Sequence, residues 1–125
     1  MSSVLVIDHD PVVAKLLEVS LRSKGHDVAI ARDAAAGRLA LETGGHDMVI
    51  VDVFLPDGSG LDVLRYLRND LDLRLPVIVL TGHRQGSIAV KAIETGATHY
   101  MTKPFSPRAL LADVDRLTEV AHVTG

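Results

Sequence analysis

The chain has no cysteine. That excludes disulfides, thiol nucleophiles and cysteine-based zinc centres, and it is compatible with a reducing cytoplasm. Positive charge is not in excess, since 13 Lys and Arg stand against 16 Asp and Glu for a formal net charge of −3. Nucleic-acid-binding domains are usually basic, so direct contact with DNA or RNA is not expected of this segment. Apolar runs stop after about four to six residues, far short of the ~20 that a membrane helix needs. The start lacks the basic segment and apolar block of a signal peptide. No internal repeat, low-complexity tract or linker breaks the sequence. What remains is a soluble, cytoplasmic domain spanning 1–125, long enough to bury a core.

What the chain does have is a set of short apolar runs, each closed by polar residues and followed by a helical pattern. Ser3-Val4-Leu5-Val6-Ile7 ends at Asp8. Asp10 before Pro11 reads as a helix cap and first helical residue. Val12, Val13, Leu16, Leu17 and Leu21 then repeat at helical spacing until Gly25. Asp27 to Ala31 is a second strand. Asp33 caps a second helix that Gly44-Gly45 ends. Met48 to Val51 is the third strand, and Leu61, Leu64 and Leu67 mark the third helix. Pro76 opens the fourth strand, Val77 to Leu80. Ile88, Ala89, Ala92 and Ile93 stripe the fourth helix, which Gly96 closes. His99 to Thr102 is the fifth strand. Ser106-Pro107 repeats the cap-and-proline signal before the last helix, and Val123-Thr124-Gly125 reads as a fraying tail. Five strands alternating with five helices predict a doubly wound parallel sheet, because each parallel connection needs a crossover.

The stretch Met48 to Gly60 is central. Its apolar run suits a strand buried on both faces, and Asp52 ends it. Ligands of open α/β sheets bind beyond the carboxyl ends of the strands. There the first strand delivers Asp8, His9 and Asp10, the third Asp52, the fourth Thr81 and the fifth Lys103. Clustered carboxylates repel one another, and a divalent cation relieves them. A hydroxyl and an ammonium suit an incoming phosphoryl group. The constellation reads as a site for Mg²⁺ and phosphate. Asp57-Gly58-Ser59-Gly60 lacks the Gly-Lys-Ser/Thr of a nucleotide-binding loop and reads as a turn and helix cap. The six histidines show no metal-ligand spacing. Arg65, Arg68 and Arg74 read as a solvated face.

Val6-Ile7-Asp8-His9-Asp10-Pro11, Asp52 through Gly60, Val79-Leu80-Thr81-Gly82, Gly96-Ala97 and Tyr100 through Phe105 occur in this order on this strand pattern. In these the chain resembles the CheY-like receiver domains of two-component response regulators, over nearly its whole length. The resemblance implies a flavodoxin-like sheet of order 2-1-3-4-5. It implies that Asp52 accepts a phosphoryl group from a phosphohistidine on a sensor histidine kinase or phosphotransfer protein. Thr81 would bond a phosphoryl oxygen, Lys103 would pair with the phosphate, and Tyr100 would be the aromatic switch. Lys103-Pro104 would carry a cis peptide, and Asp8, Asp52 and the Phe54 backbone carbonyl would hold Mg²⁺. Such a domain is a signalling switch in a phosphorelay, not an enzyme beyond its own phosphoryl transfer and dephosphorylation. Its output surface would be the fourth helix, fifth strand and fifth helix, about Gln85 to Glu119, also the candidate face for a homodimer. The resemblance does not identify the output partner or fused effector.

One position departs from the family. Where a second acid usually meets the metal directly, this chain has His9. Mg²⁺ prefers oxygen, while imidazole favours transition metals, so Mg²⁺ is expected to bind more weakly and Mn²⁺ to lose less. His9 itself stays open as a ligand, a solvated loop residue or a surrogate cation. Asp10 is expected to cap the first helix. The alternative function is a pseudo-receiver that signals by protein contact without phosphate. A flavin-binding protein of the same fold fits less well, because the first strand leads to acids and not to a hydroxyl-rich loop.

Overall fold

The computed structural model describes residues 2–82 and 86–124. Five parallel strands form one sheet: β1 (Ser3–Ile7), β2 (Asp27–Ala31), β3 (Met48–Asp52), β6 (Val77–Thr81) and β7 (His99–Thr102). Their order is β2-β1-β3-β6-β7. Between β3 and β6 lies a small antiparallel hairpin, β4 (Phe54–Leu55) and β5 (Gly58–Ser59). With the hairpin set aside, the order is the expected 2-1-3-4-5. The helices are α1 (Pro11–Ser23), α2 (Ala34–Thr43), α3 (Gly60–Arg65), α4 (Gly86–Thr95) and α5 (Pro107–Thr124).

The alternation of side chains along the central strands sorts the core into two layers. Leu5, Ile7, Val49, Val51, Val77 and Val79 pack against α2, α3 and Ala92 of α4. Val4, Val6, Met48, Ile50, Ile78 and Leu80 pack against Leu17 and Leu21 of α1 and Leu110, Val114 and Leu117 of α5. β1, β3 and β6 are therefore apolar on both faces, which is why their sequences are continuous and not alternating runs. The expected caps form, with Ser59 accepting from the Leu61 amide and Ser106 from that of Ala109. Asp10 accepts from the amides of Val12 and Val13, with Pro11 opening α1, and Asp33 accepts from that of Ala36. The Lys103–Pro104 peptide is cis.

Three expectations need correction. The third helix is not uniform: α3 gives way to a π-helix over Tyr66–Asp70, where the Leu71 amide bonds the Tyr66 carbonyl at 3.0 Å. A helical apolar pattern does not distinguish a four-residue from a five-residue bond ring over one turn. The last helix is longer than expected, because α5 continues through Val123 and Thr124, where each further residue adds a backbone bond to an existing helix. Gly125 lies outside the described residues. Arg68 is not on a solvated face. Its Nε donates to the Gly96 carbonyl at 3.0 Å, and its Nη1 donates to those of Leu73 and Leu75 at 2.8 and 2.7 Å. Arg65 and Arg74 are exposed, each paired with a nearby aspartate.

Candidate functional site

Register brings the charged residues together. β1 and β3 pair Ile7 with Val51, so the next residues, Asp8 and Asp52, leave the sheet side by side. β3 pairs Asp52 with Leu80 of β6, and Thr81 is one step beyond. β6 pairs Thr81 with Thr102 of β7, and Lys103 is one step beyond that. The Lys103 amide bonds the Thr81 carbonyl at 2.8 Å, which holds the chain as its side chain turns inward.

Lys103 Nζ lies between the two acids. It donates to Asp52 Oδ2 at 3.0 Å and stands 2.9 Å from Asp8 Oδ2. The second contact is an ion pair, and buried Asp8 Oδ2 has no partner beyond it. Asp8 Oδ1 accepts from the Asp10 amide, and Asp52 Oδ1 accepts from the Phe54 amide at 3.3 Å. Asp8 is 1% exposed, Asp52 8% and Thr81 0%. Burial lifts the Asp52 carboxyl above its ordinary range, and the charge of Asp8 adds to that. Lys103 and the Phe54 amide oppose the shift without cancelling it. For Lys103, burial favours the neutral amine, but the contacts with Asp8 and Asp52 outweigh it and the ammonium is held more firmly than usual.

His9, Asp10, Asp52, Phe54, Gly82 and Lys103 line one crevice at this edge of the sheet. His9 and Phe54 sit exposed on its rim. Asp10 is committed to the α1 cap, and its carboxylate serves backbone amides. Tyr100 is half-buried on β7, packed against the layer that holds α2, α3 and α4, and burial raises its phenol pKa. The expected output surface begins at Gln85, which lies outside the described residues. Its remainder is α4, β7 and α5, with Val90 and Ile93 exposed on α4.

A divalent cation can be tested against these donors. Among the described residues, no group of three or more His, Cys, Asp or Glu is arranged to hold a metal ion. Two carboxylates nevertheless suit Mg²⁺, which commonly keeps several waters and takes the rest of its shell from one or two carboxylates and phosphate oxygens. Asp8 Oδ2, ion-paired with Lys103 and otherwise without a partner, fits that role.

Sequence reasoning missed two contributors. Gly60 is needed for close approach, since a Cβ there would come within 2.0 Å of the Asp52 carbonyl oxygen. Its place in Asp57-Gly58-Ser59-Gly60 suggested only a turn and helix cap. Asp57 reaches across the chain to α2, where Oδ1 accepts from the Ala34 amide at 2.7 Å and Oδ2 from that of Ala35 at 3.0 Å. Nothing in the local sequence pairs positions so far apart.

Comparison with known proteins agrees with this geometry. The response regulator receiver domain family matches residues 4–115. The chain is 37% identical over 111 residues to the DNA-binding response regulator MtrA of Mycolicibacterium smegmatis, covering 89% of this chain and 48% of that protein. It is 38% identical over 122 residues to the probable transcriptional regulatory protein TcrX of Mycobacterium tuberculosis, covering 98% of this chain and 52% of that protein. The chain thus spans about half the length of the curated relatives it matches. A CheY-like response regulator receiver domain protein from Methanospirillum hungatei superposes with a TM-score of 0.94 at 26% identity, covering 100% of this chain and 99% of that one. No helix among the described residues is long and apolar enough to cross a membrane. Sheet order, the acids and lysine gathered at its carboxyl edge, and these matches agree that the chain belongs to the receiver domain family of two-component response regulators.

Proposed function

We propose that residues 1–125 act as one phospho-accepting receiver domain, with Asp52 as the acceptor. The observation that carries this reading is Lys103 Nζ, 3.0 Å from Asp52 Oδ2 and 2.9 Å from Asp8 Oδ2. A carboxylate beside a fixed cation can approach an anionic phosphoryl group, because the cation neutralises charge on the transferring oxygens. The donor is a phosphohistidine on a sensor kinase or phosphotransfer protein. A carboxylate oxygen of Asp52 forms the new bond to phosphorus as the phosphorus–nitrogen bond breaks. The electron pair returns to the imidazole nitrogen, which takes up a proton. Asp8, Asp52 and the Phe54 carbonyl would hold Mg²⁺, with His9 an additional candidate, and the bound ion supplies further neutralisation of the phosphoryl oxygens. Mn²⁺ tolerates the nitrogen of His9 better. Lys103 then trades part of its contact with the acids for the phosphate, and Thr81 bonds a phosphoryl oxygen. Thr81 moving toward the phosphate lets Tyr100 turn inward, which alters the face made by α4, β7 and α5. That face meets the output partner or a second copy of the chain.

Acid-stable, base-labile labelling by acetyl phosphate with Mg²⁺ tests the acceptor. Wild type takes the label and Asp52→Asn does not, since an amide cannot form an acyl phosphate. Labelling of the variant at wild-type stoichiometry overturns the assignment. The pseudo-receiver reading has one observation in its favour: Asp10 is spent on the α1 cap and His9 replaces an acid, while Lys103 already balances Asp8 and Asp52. A wild type that takes no label with either Mg²⁺ or Mn²⁺ would establish it.

A further inference from the structure

The hairpin β4–β5 carries Phe54, whose amide bonds the acceptor carboxylate. It is a weak element, with only two registered pairs, Phe54 with Ser59 and Leu55 with Gly58. A two-stranded ribbon of that size does not hold its own geometry in water. Its base is fixed, because the Gly60 amide bonds the Val53 carbonyl at 2.8 Å. Its tip is fixed by Asp57 alone of the side chains in the turn, through both carboxylate oxygens on the first two amides of α2. α2 has its own cap in Asp33, which serves the Ala36 amide. The Ala34 and Ala35 amides stand at a helix start, where water can replace a lost acceptor. On the hairpin side Leu55 packs into the core layer of α2 and α3, but apolar packing does not fix the direction of the turn as the two Asp57 hydrogen bonds do.

We propose that Asp57 is a positioning residue for phosphoryl transfer. Clamped to the N-terminus of α2, it holds the hairpin so that the Phe54 backbone keeps its place against Asp52. Without the clamp the hairpin pivots about Val53 and Gly60, and the Phe54 amide moves off Asp52 Oδ1. The two α2 amides also hold the Asp57 carboxyl below the usual carboxylate range, which keeps the clamp charged. The proposal rests on the acceptor reading of Asp52.

The test compares wild type, Asp57→Asn and Asp57→Ala for the rate of labelling by acetyl phosphate, with amide hydrogen exchange read by NMR on the same proteins. Asp57→Ala should slow labelling at least about threefold, within the roughly hundredfold that a misplacement of about 1 Å costs. Asp57→Asn keeps one acceptor oxygen and should fall between. Exchange should quicken at Phe54 and Leu55 while the amides of β1 keep their protection, a pattern that general loss of stability does not give. Labelling of Asp57→Ala at the wild-type rate overturns the proposal, as does slower labelling with exchange raised uniformly across the chain. A wild type that takes no label at all removes the acceptor reading instead, and this proposal with it.

Discussion

Two cations, Lys103 and Arg68, sit partly buried at opposite edges of the same sheet. Lys103 follows β7 at the carboxyl edge and faces two carboxylates. Arg68 lies below the amino edge and faces three main-chain carbonyls, those of Leu73, Leu75 and Gly96. Burial acts on both in the same direction, but the outcomes differ. The acids reverse it for Lys103, whose pKa is raised, while for Arg68 burial leads, the charge of Arg74 adds to it, and the pKa is lowered. Neutral carbonyls fix a guanidinium in place without offering any charge to exchange. Carboxylates hold an ammonium that an arriving anion can share. The first arrangement ties the π-helix, the end of α4 and the approach to β6 together. The second can change partners, which is what a switch requires.

The largest effect should come from cutting the fixed cation. Arg68→Met leaves three carbonyls short of a donor, and each buried hydrogen-bonding group left unpaired costs about 1–3 kcal/mol. Partial access of water softens the sum, so a loss of about 2–4 kcal/mol by urea unfolding is expected. Labelling per folded molecule should be unchanged. Lys103→Ala should cost less, about 1–3 kcal/mol at neutral pH, because Asp8 and Asp52 then face each other without a cation. That loss should shrink in acid, as one carboxyl takes a proton. The protein stays folded, but phosphorylation no longer moves Tyr100 or α4 in NMR spectra. A Lys103→Ala protein whose Tyr100 and α4 resonances shift as in wild type would make Lys103 as purely structural as Arg68.

The difference between the two cations also marks what the sequence can and cannot carry. Asp8, Asp52, Thr81 and Lys103 were legible because each ends an apolar run, and parallel register sends the ends of such runs to one edge. Asp10 and Asp33 were legible because a cap acts on amides two or three residues away. Arg68 and Asp57 were not, since both act on backbone groups, some close in the chain and others more than twenty residues away, and a backbone acceptor or donor leaves no residue signature. The β4–β5 hairpin and the π-helix failed for a related reason: each is shorter than the periods that reveal strands and helices.

A smaller change bears on how fully Lys103 balances its acids. His9→Asp restores a third carboxylate to the crevice, and Mg²⁺ affinity follows ligand charge. Binding should tighten about three- to tenfold, the upper end being ~1.4 kcal/mol. Labelling by acetyl phosphate should quicken in parallel. An NMR titration of both proteins reads it, and equal affinities would show that the exposed His9 ring does not take part. If His9 instead serves as a surrogate cation, wild type should accept phosphate without added metal.

The smallest effect concerns Asp52 and the fold. Its carboxyl pKa is raised, chiefly by burial, above the ordinary 3.8. An acid with a raised folded pKa ionises less easily in the fold than in the unfolded chain. Ionisation therefore destabilises the fold fully above the folded pKa, less between the two values, and not at all below 3.8. Asp52→Asn removes that ionisation. It should leave the protein slightly more stable than wild type at neutral pH, with the advantage shrinking as pH falls through the folded pKa. On the alkaline side the advantage should widen, because in wild type Lys103 is held by two acids and its fold has more stability to lose as the ammonium deprotonates than when Asp8 alone holds it. Urea unfolding of both proteins across the acid, neutral and alkaline ranges measures the difference. If Asp52→Asn is the less stable protein by the same amount at every pH, then hydrogen bonding by the carboxylate, and not the cost of burying its charge, governs this position.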